Sequence, residues 1–242
     1  MAGTCEHYEN HLAHYYAWIS GGVGLKIEEN RKFFVDHNIQ PILSGLAFDL
    51  GAGCGFQSVP LAQLGFRVVA LDLSAKMLAQ LQENAKNLPI ETICDDLSNF
   101  TNYERGNIEL VVCMGDTLTH LDAFKRVQAL LDKVFSALET GGCLVLSFRN
   151  LAQELVELDR FIPVRSNETT IFTCFLEFEK TTVKVHDIIY EKMGAQWILK
   201  KSVYQKLRIS PDWTQKYLQK LGFTIKFYDE QNGMIFMIAR KD

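Results

Sequence analysis

Hydrophobic and polar positions along the chain follow two regimes that meet near Asn150. From Leu46 onward, short apolar runs alternate with stretches in which apolar residues recur every three or four positions. "LAFDLG", "FRVVALDL", "IETICDDL", "IELVVCMG" and "CLVLSFRN" read as five strands. Between them, "FQSVPLAQLG" predicts a helix closed by Leu64-Gly65. Ser74 predicts an N-cap for a helix with Met77, Leu78, Leu81, Ala85 and Leu88 on one side. "DAFKRVQALLDKVFSAL" sets Phe124, Val127, Leu130, Leu131, Val134, Phe135 and Leu138 at helical spacing, and Gly141 and Gly142 are expected to end it. Strands alternating with helices call for a parallel sheet with helices on both faces. After Asn150 the period falls to two. "TTIFTCFLEFEK", "TTVKVHDIIYEK" and "AQWILKKSVYQKLR" predict an antiparallel meander, with Phe172, Cys174, Leu176 and Phe178 on one face. Ser210, Pro211 and Gly222 frame a last helix, and Asn232-Gly233 joins "FTIKFYDE" to "GMIFMIAR" as a hairpin. The expected organisation is an N-terminal helical lid segment (1–45), broken at Ser20–Gly22, and an α/β core (46–150). An inserted antiparallel β flap (151–209) follows, then a helix and hairpin (210–242) that complete the core sheet.

Composition narrows the function. A chain of 242 residues with 48% apolar content can bury an ample core, and a net charge of −4 gives no basic surplus for nucleic acid. No apolar run approaches the roughly 20 residues of a membrane span, and "MAGTCEHYENHLAHYY" does not read as a secretory leader. Cys5, Cys54, Cys94, Cys113, Cys143 and Cys174 lack the paired spacing of a zinc site and read as structural thiols. The expectation is a reduced, cytoplasmic protein with no metal, no membrane and no nucleic-acid partner.

The chemistry gathers at "AFDLGAGCGFQSVPLAQLG". Gly51, Gly53 and Gly55 lie between a strand and a helix, where backbone turns sharply and a ligand can approach closely. A pyrophosphate calls for G-x-G-x-x-G, but the spacing here is G-x-G-x-G, preceded by Asp49. A carboxylate there suits a cationic or hydrogen-bond-donating ligand. Asp72 and Asp96 end the next two strands, so three acids fall on the sheet edge where such folds bind ligands.

"DLGAGCG", followed by these acids in order, resembles the class I S-adenosylmethionine-dependent methyltransferases. The resemblance covers about residues 46–150 and the terminal helix and hairpin. It implies a Rossmann-like, seven-stranded, mostly parallel sheet with an antiparallel last strand, and S-adenosyl-L-methionine as cofactor, leaving as S-adenosyl-L-homocysteine. Asp49 would face the cofactor's amino group, with the backbone of Gly51, Ala52, Gly53 and Gly55 under its methionine and ribose. Asp72, with Leu73 beside it, would hold the ribose hydroxyls, and Asp96-Leu97 the adenine. Met114 and Gly115, in "CMGDTLTHL", would line the sulfonium.

"VVCMGDTLTHL" and "SFRN" are further similar to the glycine N-methyltransferase group of small-molecule enzymes. That likeness makes Arg149 an anchor for an anionic acceptor, with Tyr16 and Trp18 of "YYAWISGG" closing over the cofactor. The sequence departs from the group at Phe148 and Leu151. Tyr190 and Arg208 of the flap are further candidates for the acceptor side, and Asp116 and His120 for a base. Displacement at a sulfonium needs chiefly a positioned nucleophile and exclusion of water, which favours a nitrogen or carboxylate acceptor on a small polar or anionic molecule. A cofactor-binding protein without turnover and a methyltransferase acting on a macromolecule fit the same motifs. The oligomeric state is left open, a homodimer included.

Overall fold

A computed structural model describes residues 12–104 and 106–242; Cys5 and the first eleven residues of the expected lid segment lie outside that range. Two sheets organise the chain. The larger holds seven strands in the order β10-β11-β5-β4-β1-β2-β3. Its centre comprises β1 (Leu46–Leu50), β2 (Arg67–Asp72), β3 (Ile90–Cys94), β4 (Ile108–Cys113) and β5 (Leu138–Arg149), all parallel. β11 (Met234–Lys241) runs antiparallel beside β5, pairing Met234 with Arg149, and β10 (Phe223–Gln231) pairs antiparallel with β11. The Asn232-Gly233 turn between them has both residues at positive φ (51° and 73°), as a tight right-twisted hairpin requires.

Period-two alternation splits the buried strands between two faces. Phe48, Leu50, Leu71, Val111, Leu144 and Phe148 pack beneath α5 (Phe124–Ala137) and α6 (Pro211–Leu221). Ala47, Val68, Ala70, Leu110, Val112 and Val145 pack on the opposite side, with Phe34 of α2 (Val23–Asp36), Leu61 of α3 (Ser58–Gln63) and Leu81 of α4 (Ala75–Ala85). Both expected N-caps form: Ser74 Oγ accepts from Met77 N at 3.2 Å, and Ser210 Oγ from Trp213 N at 3.3 Å. The short first helix, α1 (Ala13–Ile19), precedes the Ser20–Gly22 break.

The second sheet is antiparallel, in the order β6-β7-β8-β9: β6 (Phe161–Ser166), β7 (Thr170–Phe178), β8 (Thr182–Met193) and β9 (Gln196–Leu207). Its inward face carries Phe172, Leu176, Val183, Val185 and Ile189. β6 has no counterpart among the expected strands because Pro163 interrupts it. As an edge strand with a register shift between Pro163 and Arg165, it tolerates the missing N–H.

One expectation is corrected. Gly141 and Gly142 do not end α5, which stops at Ala137; they lie inside β5, where its register against β4 shifts between Ile108 and Leu110. A Cβ at Gly142 would sit 2.9 Å from the carbonyl oxygens of Glu109 and Glu139, so the strands can approach there only without a side chain.

Candidate active site

Two cavities open along the carboxyl edge of the parallel sheet. The first is walled by the strand exits: Gly51 and Gly53 after β1, Asp72, Leu73 and Ser74 after β2, Asp95 and Leu97 after β3, Gly115, Thr117 and His120 after β4. The turn after β1 fits there only as glycine. At Gly51 φ is +82°, and a Cβ would lie 2.2 Å from Thr117 Cγ2. The N–H groups of Gly51 and Ala52 both donate to Leu71 O (2.8 and 2.9 Å). Asp72 accepts from Gly53 N and Ser74 N, each at 2.8 Å. This edge spends its amides on protein acceptors and presents carboxylates, which opposes a pyrophosphate and suits a cationic ligand with hydroxyl and amine donors.

Asp49 lies behind this wall, almost fully buried in β1. Its Oδ2 accepts from Ser58 Oγ at 2.6 Å, while Oδ1 has no hydrogen-bond partner among the described residues. Burial lifts its carboxyl to about 7; the Ser58 hydroxyl opposes the rise and Asp72 adds to it. A half-satisfied buried carboxylate at a glycine turn is the observation that fits a donor group of S-adenosylmethionine.

Several expected residues stand elsewhere. Asp96 turns away from the cavity, capping the 3₁₀ turn Leu97–Tyr103 through Ser98 N (2.9 Å) and pairing with Arg126 (2.9 Å); Asp95 takes its place on the wall. Asp95 is held by Tyr103 Oη (2.8 Å) and Asn99 (3.0 Å), bonds that lower its carboxyl. Ala52 and Met114 are buried in the core beneath the sheet edge. Gly55 is pressed against α4, where a Cβ would meet Leu81 Cγ at 2.8 Å. Trp18 reaches neither cavity; it packs with Phe172 and Ile189 of the second sheet, and the Arg165 guanidinium lies 5.7 Å from its ring.

The second cavity lies between these strand exits and the inward face of the second sheet. Tyr16 and Gly115 line both cavities and mark where they meet. Tyr16 stacks on Phe56 with centroids 5.6 Å apart, and burial pushes its hydroxyl far above the usual range, so it stays protonated. Gly115 is fixed by its N–H on Ser147 Oγ (2.8 Å).

Asp116 has left-handed backbone (φ 78°) and is buried. Its carboxylate accepts from Thr119 Oγ1 and Arg149 N (2.9 Å each) and pairs with Lys206 of β9. Burial raises this carboxyl, but the Lys206 ammonium, His120 and the Arg149 N–H together outweigh it and hold Asp116 below the usual range. Ionised and paired with Lys206, Asp116 ties the core to the second sheet. His120 lines the first cavity and stacks on Tyr204 of the second (5.5 Å).

Arg149 lines the second cavity; nearby, Asp116 pairs with Lys206 and Glu154 with Arg208 at 2.6 Å. Arg208 is corrected from acceptor contact to a clasp: it donates to Leu151 O (3.1 Å), Ala152 O (2.9 Å) and Glu179 O (2.7 Å), tying the segment after β5 to the second sheet. Tyr190 is corrected too, standing 40% exposed on the outer face of β8.

Sequence reasoning missed Lys206, Asp187, Cys174 and Thr117. Asp187 carried a readable signal, an acid among the inward apolar positions Val183, Val185 and Ile189 of β8. Among the described residues no group of His, Cys, Asp and Glu could hold a metal, and no helix is long and apolar enough to cross a membrane.

Comparison with known proteins converges on this edge. A methyltransferase-domain family matches residues 47–142. The glycine/sarcosine N-methyltransferase of Halorhodospira halochloris is 36% identical over 104 residues, and that of Aphanothece halophytica 33%. Each match covers 42% of this chain and only 39% of the relative's length. DesVI of Streptomyces venezuelae superposes with a TM-score of 0.75 at 16% identity, covering 95% of this chain and 98% of its own. An S-adenosylmethionine-bound amino pentose methyltransferase of Micromonospora echinaspora gives 0.71 at 15%, covering 90% and 91%. With its glycine turn, its row of acids and its antiparallel last strand, the α/β core matches a methyltransferase-domain family over residues 47–142 and has the fold of the S-adenosylmethionine-dependent methyltransferases.

Proposed function

We propose that this chain transfers a methyl group from S-adenosylmethionine to nitrogen on a small acceptor that also carries an anionic group. One observation carries the reading: the two cavities meet at Tyr16 and Gly115, so a donor in one and an acceptor in the other face each other at a single place. The relatives' own activity, glycine/sarcosine N-methylation, supports nitrogen as the atom. In this reading residues 46–150 and 210–242 hold the cofactor, and residues 151–209 with the N-terminal segment cover the acceptor.

Bound S-adenosylmethionine supplies a methyl group on a sulfonium, a leaving group already activated. The chain's part is to place and to dry. Asp72 takes the ribose hydroxyls, Asp95 and Leu97 the adenine, and Asp49 the amino group through the turn at Gly51. Gly115, without a side chain, leaves the transfer path open, and Tyr16 closes it to water with a hydroxyl that donates but does not accept a proton. Arg149 grips the acceptor's carboxylate or equivalent anion. The acceptor would enter as the free amine, its lone pair would take the methyl as the C–S bond breaks with its pair left on sulfur, and the resulting ammonium would give up its proton to solvent on release.

Methyl-labelled S-adenosylmethionine incubated with a panel of small amines tests this. Arg149→Ala should raise the acceptor KM by about ten- to a hundredfold, the worth of a charged hydrogen bond, with cofactor affinity unchanged. No label transferred to any amine, with cofactor still bound, would leave a binding protein without turnover.

A further inference from the structure

The second cavity carries two chemistries on one wall. Ile162, Val164, Phe172, Leu176, Phe178 and Val185 make its apolar lining from the inward face of the second sheet, and the β7–β8 register sets Cys174 and Asp187 between Phe172 and the Leu176–Val185 pair. Charged groups are set into this lining. Arg149 and Asp187 line it together with the Asp116–Lys206 pair, whose members neutralise each other. The Cys174 thiol donates to Asp187 Oδ1 at 3.1 Å; burial and the Asp187 charge push the thiol up, and Lys206 and Arg149 oppose the rise. Asp187 is 1% exposed and is the one fully buried acid of β8.

From this we infer that the acceptor is a zwitterion with a bulky apolar body, such as an α-amino acid with an aromatic or large aliphatic side chain, rather than glycine itself. The inference rests on the methyltransferase reading and sharpens its acceptor. Arg149 would take the carboxylate and Asp187 the amine-bearing side, leaving the body against Leu176 and Val185. Glycine and sarcosine have a head and no body, and would leave the apolar wall facing water. Burying a phenyl-sized group there is worth more than tenfold in affinity. Asp187 in this account sets specificity, since a buried carboxylate favours an acceptor with an amine over one without.

The test is calorimetric titration of the protein saturated with S-adenosylhomocysteine, using glycine, L-phenylalanine and 3-phenylpropionate. Phenylalanine should bind more than tenfold tighter than glycine, and tighter than 3-phenylpropionate. Val185→Phe, which crowds the apolar lining, should weaken phenylalanine at least tenfold and leave glycine within about twofold. Asp187→Asn should erase the preference for phenylalanine over 3-phenylpropionate while leaving 3-phenylpropionate itself unchanged; a merely structural role would weaken both. Glycine binding as tightly as phenylalanine in the wild type overturns the inference whether or not either variant folds, as does failure of both aromatic compounds to bind. Either result leaves the methyltransferase reading intact if S-adenosylhomocysteine still binds; loss of that binding strikes the reading itself.

Discussion

The two cavities that meet at Tyr16 and Gly115 are built in different ways. The first is walled largely by main chain and short acids at the exits of four parallel strands, where position follows from the topology of the sheet. The second is walled by side chains from the inward face of an antiparallel sheet, anchored to the core by a few contacts such as Asp116–Lys206 and the Arg208 clasp. A site made of backbone tolerates little change and keeps one ligand. A site made of alternating side chains can change its contents without disturbing the fold. In the proposed reading, the difference places the shared chemistry in the first region and the acceptor's identity in the second.

The contrast can be broken most forcefully at the join between the regions. Lys206→Met leaves the Asp116 carboxylate buried without its cation, which should cost about 3–5 kcal/mol and lower the unfolding midpoint by roughly 10 °C. Adding Asp116→Asn should recover most of that loss. Affinity for S-adenosylhomocysteine should be unchanged in the double variant, because neither residue holds the cofactor in this account; weaker cofactor binding there would mean that the two regions are not separable. Calorimetry on both variants reads stability and affinity together.

Within the first cavity, Gly51→Ala should be the most damaging small change. Its Cβ would collide with Thr117 at a positive φ, for a combined loss of about 2–4 kcal/mol. Thr117→Gly in the same chain should return part of it, measured by chemical denaturation. An alanine tolerated without loss would contradict the close approach of the β1 and β4 exits.

A smaller effect follows from Asp49. Its folded carboxyl, near 7, lies above the ordinary value of 3.8, so the native chain keeps a proton that the unfolded chain releases. Its contribution to stability therefore declines as pH rises from about 4 to 7. Asp49→Asn should make the unliganded protein more stable at pH 8 than the wild type. A cofactor amine needs the ionised form, so wild-type affinity for S-adenosylhomocysteine should fall about tenfold from pH 7 to pH 5.5 and stay flat in Asp49→Asn. A pH-independent wild type would remove Asp49 from the site.

The same contrast governs what the sequence disclosed. Strand ends, glycine turns and caps are local signals, so the strand-and-helix alternation, the Ser74 and Ser210 caps, the Asn232-Gly233 hairpin and Asp72 at its cavity could all be read directly. Asp95 and Asp96 are neighbours after β3, and which one faces the ligand depends on Arg126 of α5, a partner thirty residues away. Gly141 and Gly142 read as a helix end because a bulge depends on the neighbouring strand. In the second sheet, inward and outward positions alternate with similar residue types. Tyr190 and Arg208 therefore looked as eligible as Lys206 and Asp187, which register alone brings to the cavity.

The most direct test of the central claim is titration of the purified protein with S-adenosylhomocysteine and with NAD, in wild type and Asp72→Ala, followed by thermal unfolding. At about a hundredfold its dissociation constant, S-adenosylhomocysteine should add roughly 2.7 kcal/mol and raise the midpoint by about 5–10 °C. NAD should add nothing, and Asp72→Ala should abolish the shift. Stabilisation by NAD, or a shift by S-adenosylhomocysteine that survives Asp72→Ala, would contradict the assignment of the first cavity.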